Sequence, residues 1–423
     1  MSLLTRAGSL AKETDAAVYL VGGIVRDILL QRPNLDIDLV VEGDGPVFAA
    51  ALAAALEGTV VIHDRFGTSV VILPGKRRVD VATARKETYS EGGALPDVIG
   101  ALLRDDLGRR DFTINAMAVS LNPGDYGELI DYYDGREDMA RKRVRVLHHA
   151  SFVDDPTRVF RAVRFEKRFG FAMTKETENL LRNAVADDLL KTVSGTRIRN
   201  EVMAVFGEED AAAAVARLQE FGVWKALNPG VTATATAVNY LTAIPAAEES
   251  LGQGLKHSYK RRFACLAALL TDTDADAARD FCRLLGLGRA RTNETVAAIE
   301  EGPDLLERLS GKDEQAGSVW LLLKEEPEET LVYLYAAAGS NARTNIRRFS
   351  ELRTVKPIIN GRDLMARGHK PSAYFADALA DTFRVQIDGG FATKEAALKF
   401  AEEGLVKAAG RREKTGRADG RDE

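Results

Sequence analysis

Short runs of β-branched and aliphatic residues alternate with helical patterns over the first 140 residues of the chain. The runs are bounded by Gly, Pro, Asp or Asn, as short strands usually are, and an alanine-rich stretch among them has the composition of a helix ending at Gly58. The predicted strands occupy residues 17–23, 35–41, 59–63, 68–73 and 77–83. We therefore predict an α/β head over residues 1–140.

Apolar residues take up helical spacing after about residue 150. The segment that begins at Asp154 has two aspartates and Pro156 in its first turn, which is typical of a helix start. Ala-, Leu-, Glu- and Arg-rich stretches with Gly and Pro breaks continue to residue 405. We predict an all-α neck at 141–205 and a helical body and tail at 206–405. Residues 406–423 are charged and poor in large apolar residues, which predicts disorder.

The composition is that of a globular protein with a sizeable core. The 423 residues are 45% hydrophobic and 29% charged, which allows two or more domains. No apolar run approaches the roughly 18 residues of a membrane span, and the N-terminus lacks a signal-peptide pattern, so we expect a cytoplasmic protein without a membrane partner. Cys265 and Cys282 have no cysteine or histidine at ligand spacing, which predicts buried thiols rather than a zinc site.

Basic residues are concentrated after residue 140, although the formal net charge is −5. The net charge argues against a protein that coats nucleic acid indiscriminately. Each basic cluster alone is typical of a solvated helix face, but together they could line a path for a polyanion. The clusters lie at 140–145, 161–168, 197–199, 260–262 and 343–348.

Two aspartates interrupt the second predicted strand. Asp36 and Asp38 are two positions apart, so in a strand they project from the same face, about 7 Å apart. Adjacent carboxylates repel each other and are usually neutralised by a cation. Mg²⁺ is the natural candidate because it binds one or two carboxylates and completes its shell with water and substrate phosphates. We predict that Asp36 and Asp38 are metal ligands in a catalytic site.

A glycine pair, Gly22-Gly23, connects the first predicted strand to a helix that contains Arg26 and Asp27. Glycines let backbone amides approach a phosphate near the positive end of a helix. If this turn lies beside the aspartate strand in one sheet, a bound triphosphate would meet metal ions held by the aspartates. That arrangement is a site for phosphoryl or nucleotidyl transfer.

Two further stretches offer candidate site residues. Asp80, on a nearby predicted strand, is either a third acid of the catalytic centre or the partner of Arg77 or Arg78. Residues 108–121 predict a helix whose polar first turns face a ribose and phosphates while its later residues pack into the core. In such a helix Asp111 and Asn115 share one face.

The segments GGIVRD…LDIDLV, RRDFTINA and DDPTRVFRAVRFEKRFGF, in this order and at these separations, resemble the class II tRNA nucleotidyltransferase and bacterial poly(A) polymerase family. The likeness covers residues 15–205 and returns faintly at 359–372. It implies a polymerase-β-like head with a mixed sheet, followed by an all-α neck, body and tail. It also implies Mg²⁺ as cofactor and, as partners, the 3′ end of tRNA and ATP, with CTP as a possible second nucleotide.

The resemblance also implies a role for each matching residue. Asp36 and Asp38 would be the metal ligands, with Asp80 as a possible third catalytic acid. Nucleotide-binding residues would be Gly22, Gly23 and Arg26 at the triphosphate, Arg109, Arg110, Asp111 and Asn115 at the ribose, and Asp155, Arg158 and Arg161 near the base. The chain departs from the family pattern at Asp154, where Glu is usual, and at Thr196, where an acid is usual, but Arg197 is present.

The chemistry of Asp155 and Arg158 by itself also suggests that these two residues recognise a nucleotide base. Asp155 accepts hydrogen bonds and Arg158 donates them, and three positions apart on a helix they could satisfy the Watson–Crick edge of cytosine or adenine. The alternative is a capping aspartate with an i, i+3 partner, which is a common structural feature.

The choice within the family stays open, because CCA-adding, CC-adding and A-adding enzymes and poly(A) polymerases share these motifs. The segment between Asp80 and Arg109 shows no deletion of the loop whose shortening marks CC-adding relatives. Residues 93–96, GALP, and 40–45, VVEGDG, resemble the A-adding branch and related proteins with extra N-terminal domains, so the chain could be the C-terminal part of a longer protein. We expect an A-adding enzyme.

Two other classes of protein fit the sequence less well. A phosphatase of the haloacid dehalogenase type also uses an Asp-x-Asp pair, but it needs a threonine where Val40 stands and has no use for the Gly22-Gly23 turn. A non-catalytic RNA-binding module is disfavoured because all the expected metal and sugar residues are present.

Overall fold

The computed structural model describes residues 3–63, 67–88, 97–312, 314–372 and 374–415. The chain divides into two compact units. The first consists of Met1–Pro229 and Leu284–Gly286, and the second of Gly230–Arg283 and Leu287–Glu423. The first unit contains the predicted head and neck and continues beyond the predicted neck boundary at residue 205.

The strands lie in the first unit. In chain order they are β1 Ala17–Val21, β2 Ile37–Glu42, β3 Thr59–His63, β4 Thr68–Ile72, β5 Arg78–Thr83, β6 Arg85–Thr88, β7 Asp97–Gly100, β8 Met117–Ser120, β9 Leu129–Asp131, β10 Arg143–Val144 and β11 Ala172–Met173. The main sheet has seven strands in the order β3-β4-β5-β2-β1-β8-β9. Only β2 and β5 are parallel neighbours in it, so the sheet is mixed, as predicted.

The helices of the first unit surround this sheet and then form the neck. They are α1 Leu3–Glu13, α2 Gly23–Leu29, α3 Gly45–Ala55, α4 Leu103–Gly108, α5 Gly135–Ala140, α6 Ser151–Asp154, α7 Arg158–Phe169, α8 Lys175–Ala186, α9 Gly195–Val205, α10 Ala211–Glu220 and α11 Val223–Leu227. Asp44 begins α3 by accepting a hydrogen bond from the amide of Val47 at 2.9 Å. Gly170, at φ 64°, ends α7 in the left-handed conformation that glycine adopts without strain.

Period-two alternation explains why the sheet has one covered face and one face free for chemistry. In β5, Val79 and Val81 are buried, whereas Arg78 and Asp80 are exposed. Helix α3 packs against β3, β4 and β5 and covers the apolar side. On the other side Leu103 of α4 packs with Val40 near the middle of the sheet. The polar positions of β5 therefore remain accessible.

Among the described residues of the second unit, the regular secondary structure is helical. Its helices are α12 Ala235–Leu251, α13 Arg261–Leu269, α14 Ala275–Leu284, α15 Arg289–Arg308, α16 Ala316–Leu323, α17 Glu328–Ala337, α18 Ser340–Leu352, α19 Gly361–Ala366, α20 Tyr374–Ile387 and α21 Lys394–Thr415. Burial raises the pKa of the Cys265 thiol to about 12 and that of Cys282 to about 11, and both are buried as expected. Within the described part of the chain, every helix is too short or too polar to cross a membrane.

The structure corrects three predictions. Residues 108–121 do not form one helix: α4 ends at Gly108, Thr113–Asn115 form a 3₁₀ turn, and the apolar run becomes β8. The backbone of this segment finds partners elsewhere, since β8 pairs with β1 and β9. Helix α21 extends to Thr415, beyond the predicted start of disorder at 406, and residues 416–423 lie outside the described part. The predicted all-α neck at 141–205 also contains the short paired strands β10 and β11.

Candidate active site

Nearly all the predicted site residues line one open cavity of about 720 Å³ in the first unit. Apart from Asp80, each of them lines it: Gly22, Gly23, Arg26, Asp36, Asp38, Arg109, Arg110, Asp111, Asn115, Asp155, Arg158 and Arg161. Residues that are almost 140 positions apart in the sequence therefore meet at one place. The arrangement has a carboxylate side at β2 and an arginine side formed by the end of α4 and by α7.

The carboxylate side is built on the parallel pair β2 and β5. Asp38 lies in β2 directly beside Asp80 in β5, and the shared register puts both on one face. Asp36 precedes β2, and its backbone amide donates to Oδ1 of Asn34 at 2.8 Å. Asp36 and Asp38 thus line the cavity together, as predicted, although Asp36 stands one residue before the strand.

Burial and the repulsion among these acids both act on the pKa of Asp38. Burial raises the pKa of Asp38 to about 6, the charges of Asp80 and Asp36 add to the effect, and Arg110 opposes it. Asp80 also lies 3.4 Å from Nη2 of Arg78, an exposed pair of little energetic weight. Its position therefore agrees with both of the roles predicted for it.

The donor set of this side suits a hard divalent cation. Among the described residues, no three His, Cys, Asp or Glu side chains are grouped closely enough to hold a metal ion by themselves. Asp36, which is exposed, and Asp38, which is partly buried, nevertheless offer carboxylate oxygens in a negatively charged position, and Mg²⁺ takes most of its shell from water and phosphate. The residues present fit such an ion.

The glycine turn approaches Asp38 closely. Gly22 has φ 77° and ψ −138°, a conformation that side chains other than hydrogen rarely allow. A Cβ atom at this position would lie 2.8 Å from Nη1 of Arg110 and 3.7 Å from Oδ2 of Asp38. The turn that ends β1, the acid at the start of β2 and an arginine after α4 therefore converge, which was the arrangement on which the sequence interpretation depended.

Arg26 is held by protein groups within the cavity wall. Its Nε and Nη2 donate to the carboxylate of Asp27 at 2.8 and 2.9 Å, and its Nη1 donates to Oδ1 of Asn115 at 2.5 Å. The guanidinium also lies 4.6 Å from the ring centre of Phe169. Arg26 thus links α2 to the turn at Asn115, and its contact with a triphosphate remains a prediction.

Asp106 organises the arginines, and we did not predict it. It is fully buried, and its carboxylate accepts from Nη2 of Arg109 at 2.6 Å and from Nη2 of Arg110 at 2.9 Å. Burial alone would raise the pKa of Asp106, but the two arginines outweigh it and the net pKa is lowered. The i, i+3 and i, i+4 spacing in the sequence was the available signal.

Asp111 has both carboxylate oxygens occupied by protein donors. Oδ1 accepts from the amide of Phe112 and from Nδ2 of Asn115, each at 2.8 Å, and Oδ2 accepts from Nε of Arg161 at 2.8 Å. Burial raises the pKa of Asp111, but the charge and hydrogen bonds of Arg161 outweigh this and lower it. Asp111 therefore fixes Asn115 and Arg161, and its contact with a ribose remains a prediction.

Asp155 and Arg158 flank a turn rather than share a helix, so that prediction was wrong. Helix α6 ends at Asp154, Asp155 is extended with φ −138° and ψ 94°, and α7 begins at Arg158. Pro156 explains the break because the residue before a proline disfavours helical backbone. Both side chains still line the cavity.

Each of these two side chains is held in place. Oδ1 of Asp155 accepts from the amide and hydroxyl of Thr157 at 3.0 and 2.6 Å and from Nη2 of Arg197 at 2.8 Å. Arg158 is buried, with Nη1 donating to Oγ of Ser151 at 2.6 Å and Nη2 donating to the carbonyl oxygen of Arg109 at 2.7 Å. Their positions are therefore fixed before any nucleotide binds.

The cavity also includes residues that we did not predict. They are contributed mainly by one face of α7 and one face of α9: Arg164, Phe165, Arg168, Arg197, Asn200 and Glu201. Two of them pair with Glu208, which accepts from Nε of Arg164 and Nε of Arg168 at 2.8 Å each. The arginines of α7 recur every three or four positions, so helical periodicity could have revealed their common face.

Replacing Asp106 with Asn should destabilise the first unit by about 3 kcal/mol, because it leaves the half-buried Arg109 and Arg110 without the fully buried counter-charge that they share. Urea unfolding of wild type and variant measures the change, and Asp105→Asn, an exposed neighbour in α4, is the matched control. The folded pKa of Asp106 lies below its ordinary value of 3.8, so its contribution is present above that pH and is lost as the pH falls further. The difference in unfolding free energy between wild type and variant should therefore shrink in acid. A difference that stays constant with pH would contradict the electrostatic cause.

Two family models and several known proteins match this chain. The family model "Poly A polymerase head domain" matches residues 18–145, and "Probable RNA and SrmB-binding site of polymerase A" matches residues 170–234. The A-adding tRNA nucleotidyltransferase of Halalkalibacterium halodurans is 33% identical over 95% of this chain and 92% of the relative. That of Geobacter sulfurreducens is also 33% identical over 95% of this chain, which spans only 46% of the relative's length.

The solved structures extend the likeness to the fold. The Thermotoga maritima CCA-adding enzyme complexed with tRNA superposes with a TM-score of 0.77 at 34% identity, and the match covers 95% of each chain. The sequence resemblance, the mixed-sheet head with its helical continuation and the convergence of the motif residues thus agree with one another. The chain belongs to the CCA- and A-adding family of tRNA nucleotidyltransferases, which are enzymes.

Proposed function

We propose that this protein adds adenosine to the 3′ end of tRNA, by attack of the terminal 3′-hydroxyl on the α-phosphate of ATP. The observation that carries the proposal is the convergence of Gly22, Asp38 and Arg110, because it joins a phosphate-approaching turn, a metal-ligating acid and a cation in one cavity. Relatives with this architecture include A-adding and CCA-adding enzymes.

The phosphate side of the reaction relies on the glycine turn and on the arginines after α4. The absence of a side chain at Gly22 lets a phosphate approach the backbone, and Arg110 is already present beside it. Asp106 pre-orients Arg110, so little reorganisation is needed when a triphosphate arrives. Arg110 would then stabilise the negative charge that develops on the leaving pyrophosphate.

The carboxylate side supplies the metal ligands. Enzymes of this family are generally metal-dependent, and we assign the ion as Mg²⁺ at Asp36 and Asp38. When bound, Mg²⁺ lowers the pKa of the attacking hydroxyl and offsets charge on the phosphates. The two aspartates would hold and orient it, and the partial burial of Asp38 would strengthen the interaction.

The base is read by a preformed pair of side chains. Asp155 uses Oδ1 for its protein contacts, so its other oxygen can accept the exocyclic amino group of adenine or cytosine, while the fixed guanidinium of Arg158 donates to the adjacent ring nitrogen. Guanine and uracil lack that amino group at this position and present a carbonyl oxygen instead. The pair should therefore accept ATP and CTP and reject GTP and UTP.

Adenosine addition is our preferred activity because relatives that align over 95% of the chain are A-adding enzymes. CCA addition is the second candidate, supported by the structural match to a CCA-adding enzyme. The purified protein should be incubated with tRNAs ending before CCA, after C and after CC, each with one labelled nucleotide. Growth of only the CC-ending tRNA with ATP supports A addition, whereas additional growth of the shorter tRNAs with CTP would replace it with CCA addition, and growth with CTP alone would replace it with CC addition. Growth of none would contradict both.

Replacing Asp38 with Asn should reduce nucleotide incorporation at least about 100-fold, the scale of losing one electrostatic contact to the transition state. Binding of tRNA should persist, since the RNA is held by other residues. A filter assay for tRNA binding and a gel assay for extension separate the two effects. Asp276→Asn, whose side chain is 96% exposed in the second unit, is the control and should be fully active.

The raised pKa of Asp38 also predicts a pH effect on that incorporation. A proton competes with the cation at Asp38, so extension should fall as the pH drops through about 6 at low Mg²⁺. Raising the Mg²⁺ concentration should move this loss of extension activity to lower pH. A loss that occurs at the same pH at all Mg²⁺ concentrations would argue against Asp38 as a ligand.

Replacing Gly22 with Ala should weaken ATP binding about tenfold or more. The strained φ of 77° costs a Cβ-bearing residue on the order of 1–3 kcal/mol, and the new Cβ would displace Arg110. Equilibrium binding of labelled ATP measures the change. Gly124→Ala, with open space around its Cβ, is the matched control. Unchanged ATP affinity in the Gly22 variant would remove the turn from the phosphate site.

Replacing Asp155 with Ala should lower the preference for ATP over UTP by about tenfold or more, since a specific pair of hydrogen bonds to a base is worth about 1–3 kcal/mol of discrimination. The measurement is the ratio of kcat/KM for the two nucleotides on one tRNA. Asp187→Ala, an exposed position at the end of α8, should keep the wild-type ratio. An equal loss for both nucleotides would mean that Asp155 is structural only.

A further inference from the structure

The cavity of about 720 Å³, which we call the active-site cavity, is lined mainly by polar side chains that already have protein partners. Its arginines are held by carboxylates or backbone oxygens, as Arg161 is by Asp111 and Arg197 is by Asp155. Among the described residues, three polar side chains of the lining have neither a hydrogen bond nor an ion pair to protein, namely Asp36, Asp38 and Asn200. The first two are the assigned metal ligands, so the third remains to be explained.

Helix α9 places Asn200 next to the residues assigned to the base. Arg197, three positions earlier on α9, donates from Nη2 to Oδ1 of Asp155 at 2.8 Å. Residues three apart on a helix share a face, with Cβ atoms about 5–6 Å apart. Asn200 is exposed and lines the cavity together with Arg197. An accessible amide group therefore lies one helical turn from the arginine that holds Asp155.

The side chain of Asn200 has a donor and an acceptor, which match one edge of adenine. Adenine presents N1 and one hydrogen of its N6 amino group on the Watson–Crick edge, and it presents N7 and the other amino hydrogen on the adjacent edge. The proposed function assigns the amino group to Asp155 and the ring nitrogen N1 to Arg158. Because the amino group lies between N1 and N7, N7 would lie on the Asp155 side of the base, away from Arg158. Asn200 is available on that side.

We propose that Asn200 recognises the N7 edge of the adenine of ATP and thereby favours ATP over CTP, which Asp155 and Arg158 accept equally. This inference rests on the proposed function and deepens it by naming a residue that selects the base. Nδ2 would donate to N7 and Oδ1 would accept from the amino group, the pairing with which asparagine commonly recognises adenine. Cytosine has no nitrogen in the place of N7, so CTP would leave Nδ2 without that bond.

A purely structural role fits Asn200 less well. A side chain that positions a neighbour must bond to it, and in the described part of the chain Asn200 has no such bond. Glu201, the next residue of α9, also lines the cavity, but its Oε2 accepts from Nη1 of Arg164 at 3.3 Å. An exposed asparagine on a helix needs no explanation in itself. The position of Asn200 among the motif residues of the cavity is what indicates a ligand.

The nucleotide 7-deaza-ATP tests the contact directly, because it has a C–H group in place of N7 and keeps the Watson–Crick edge of adenine. The unmodified protein should extend a CC-ending tRNA with a kcat/KM about three- to tenfold higher for ATP than for 7-deaza-ATP, the range expected for one hydrogen bond. Asn200→Leu removes the amide group but keeps a branched side chain, and this variant should use the two nucleotides equally. The ratio of the dissociation constants for CTP and ATP, from equilibrium binding, should fall in Asn200→Leu by a similar factor.

Two further variants complete the test. Asn183→Leu is the matched control, because Asn183 is an exposed asparagine of the neck, in α8, and is not among the described residues that line the cavity. It should keep the wild-type extension rate and the wild-type preference for ATP over 7-deaza-ATP. Asn200→Ala replaces Asn200→Leu if the melting temperature shows that the leucine variant is unstable, and it should abolish the same preference.

The other results overturn the assignment. Equal use of ATP and 7-deaza-ATP by the unmodified protein would show that N7 is not recognised. A preference for ATP that persists in both Asn200 variants would assign N7 to another residue. A raised KM for tRNA with an unchanged nucleotide preference would place Asn200 in contact with the RNA instead. Failure of the unmodified protein to add adenosine to any tRNA would contradict the proposed function itself, whereas failure of the Asn200 assignment leaves the unmodified protein active.

Discussion

The site depends on two acidic side chains, Asp38 and Asp80, that are held side by side on neighbouring strands. Because β2 and β5 are parallel and in register, Asp38 and Asp80 are neighbours on a partly buried face, and the cost appears as the raised pKa of Asp38. A fold selected for stability alone would replace one of the acids with an apolar residue. Retaining them is consistent with a cation that offsets the repulsion only when it binds, so that stability is sacrificed for affinity at the place of reaction.

The opposite charge is arranged differently, because the arginines are neutralised before any substrate arrives. Asp106 holds Arg109 and Arg110, and Asp111 holds Arg161, all through carboxylates that are almost completely buried. Such buried pairs contribute little net stability, but they fix the direction of each guanidinium. Rigid cations can stabilise developing charge without the reorganisation that a flexible lysine would need. The site therefore combines neighbouring acids that repel each other with arginines that are already paired with acids.

Local patterns in the sequence were sufficient to predict the features that depend on residues close together in the chain. The first five strands followed from β-branched runs between turn residues, and the paired acids followed from period-two alternation at Asp36 and Asp38. The helix predicted after Gly108 was wrong because a short apolar run fits either a helix or a strand, and pairing with β1 decided between them. The link between Asp155 and Arg197 spans 42 positions, so no spacing rule could reveal the contact.

The hydrogen bond from Nη2 of Arg158 to the carbonyl oxygen of Arg109 connects the two parts of the proposed nucleotide site. Arg158 stands at the turn that we propose reads the base, whereas Arg109 belongs to the segment that places Arg110 beside the glycine turn. Because this bond is charge-assisted and partly buried, moving either group requires the other to move or leaves a polar group unsatisfied. Under the proposed function, a base that fits poorly at Asp155 and Arg158 would therefore strain the arginines assigned to the triphosphate. Selection of the base and alignment of the phosphates would in this way depend on one framework.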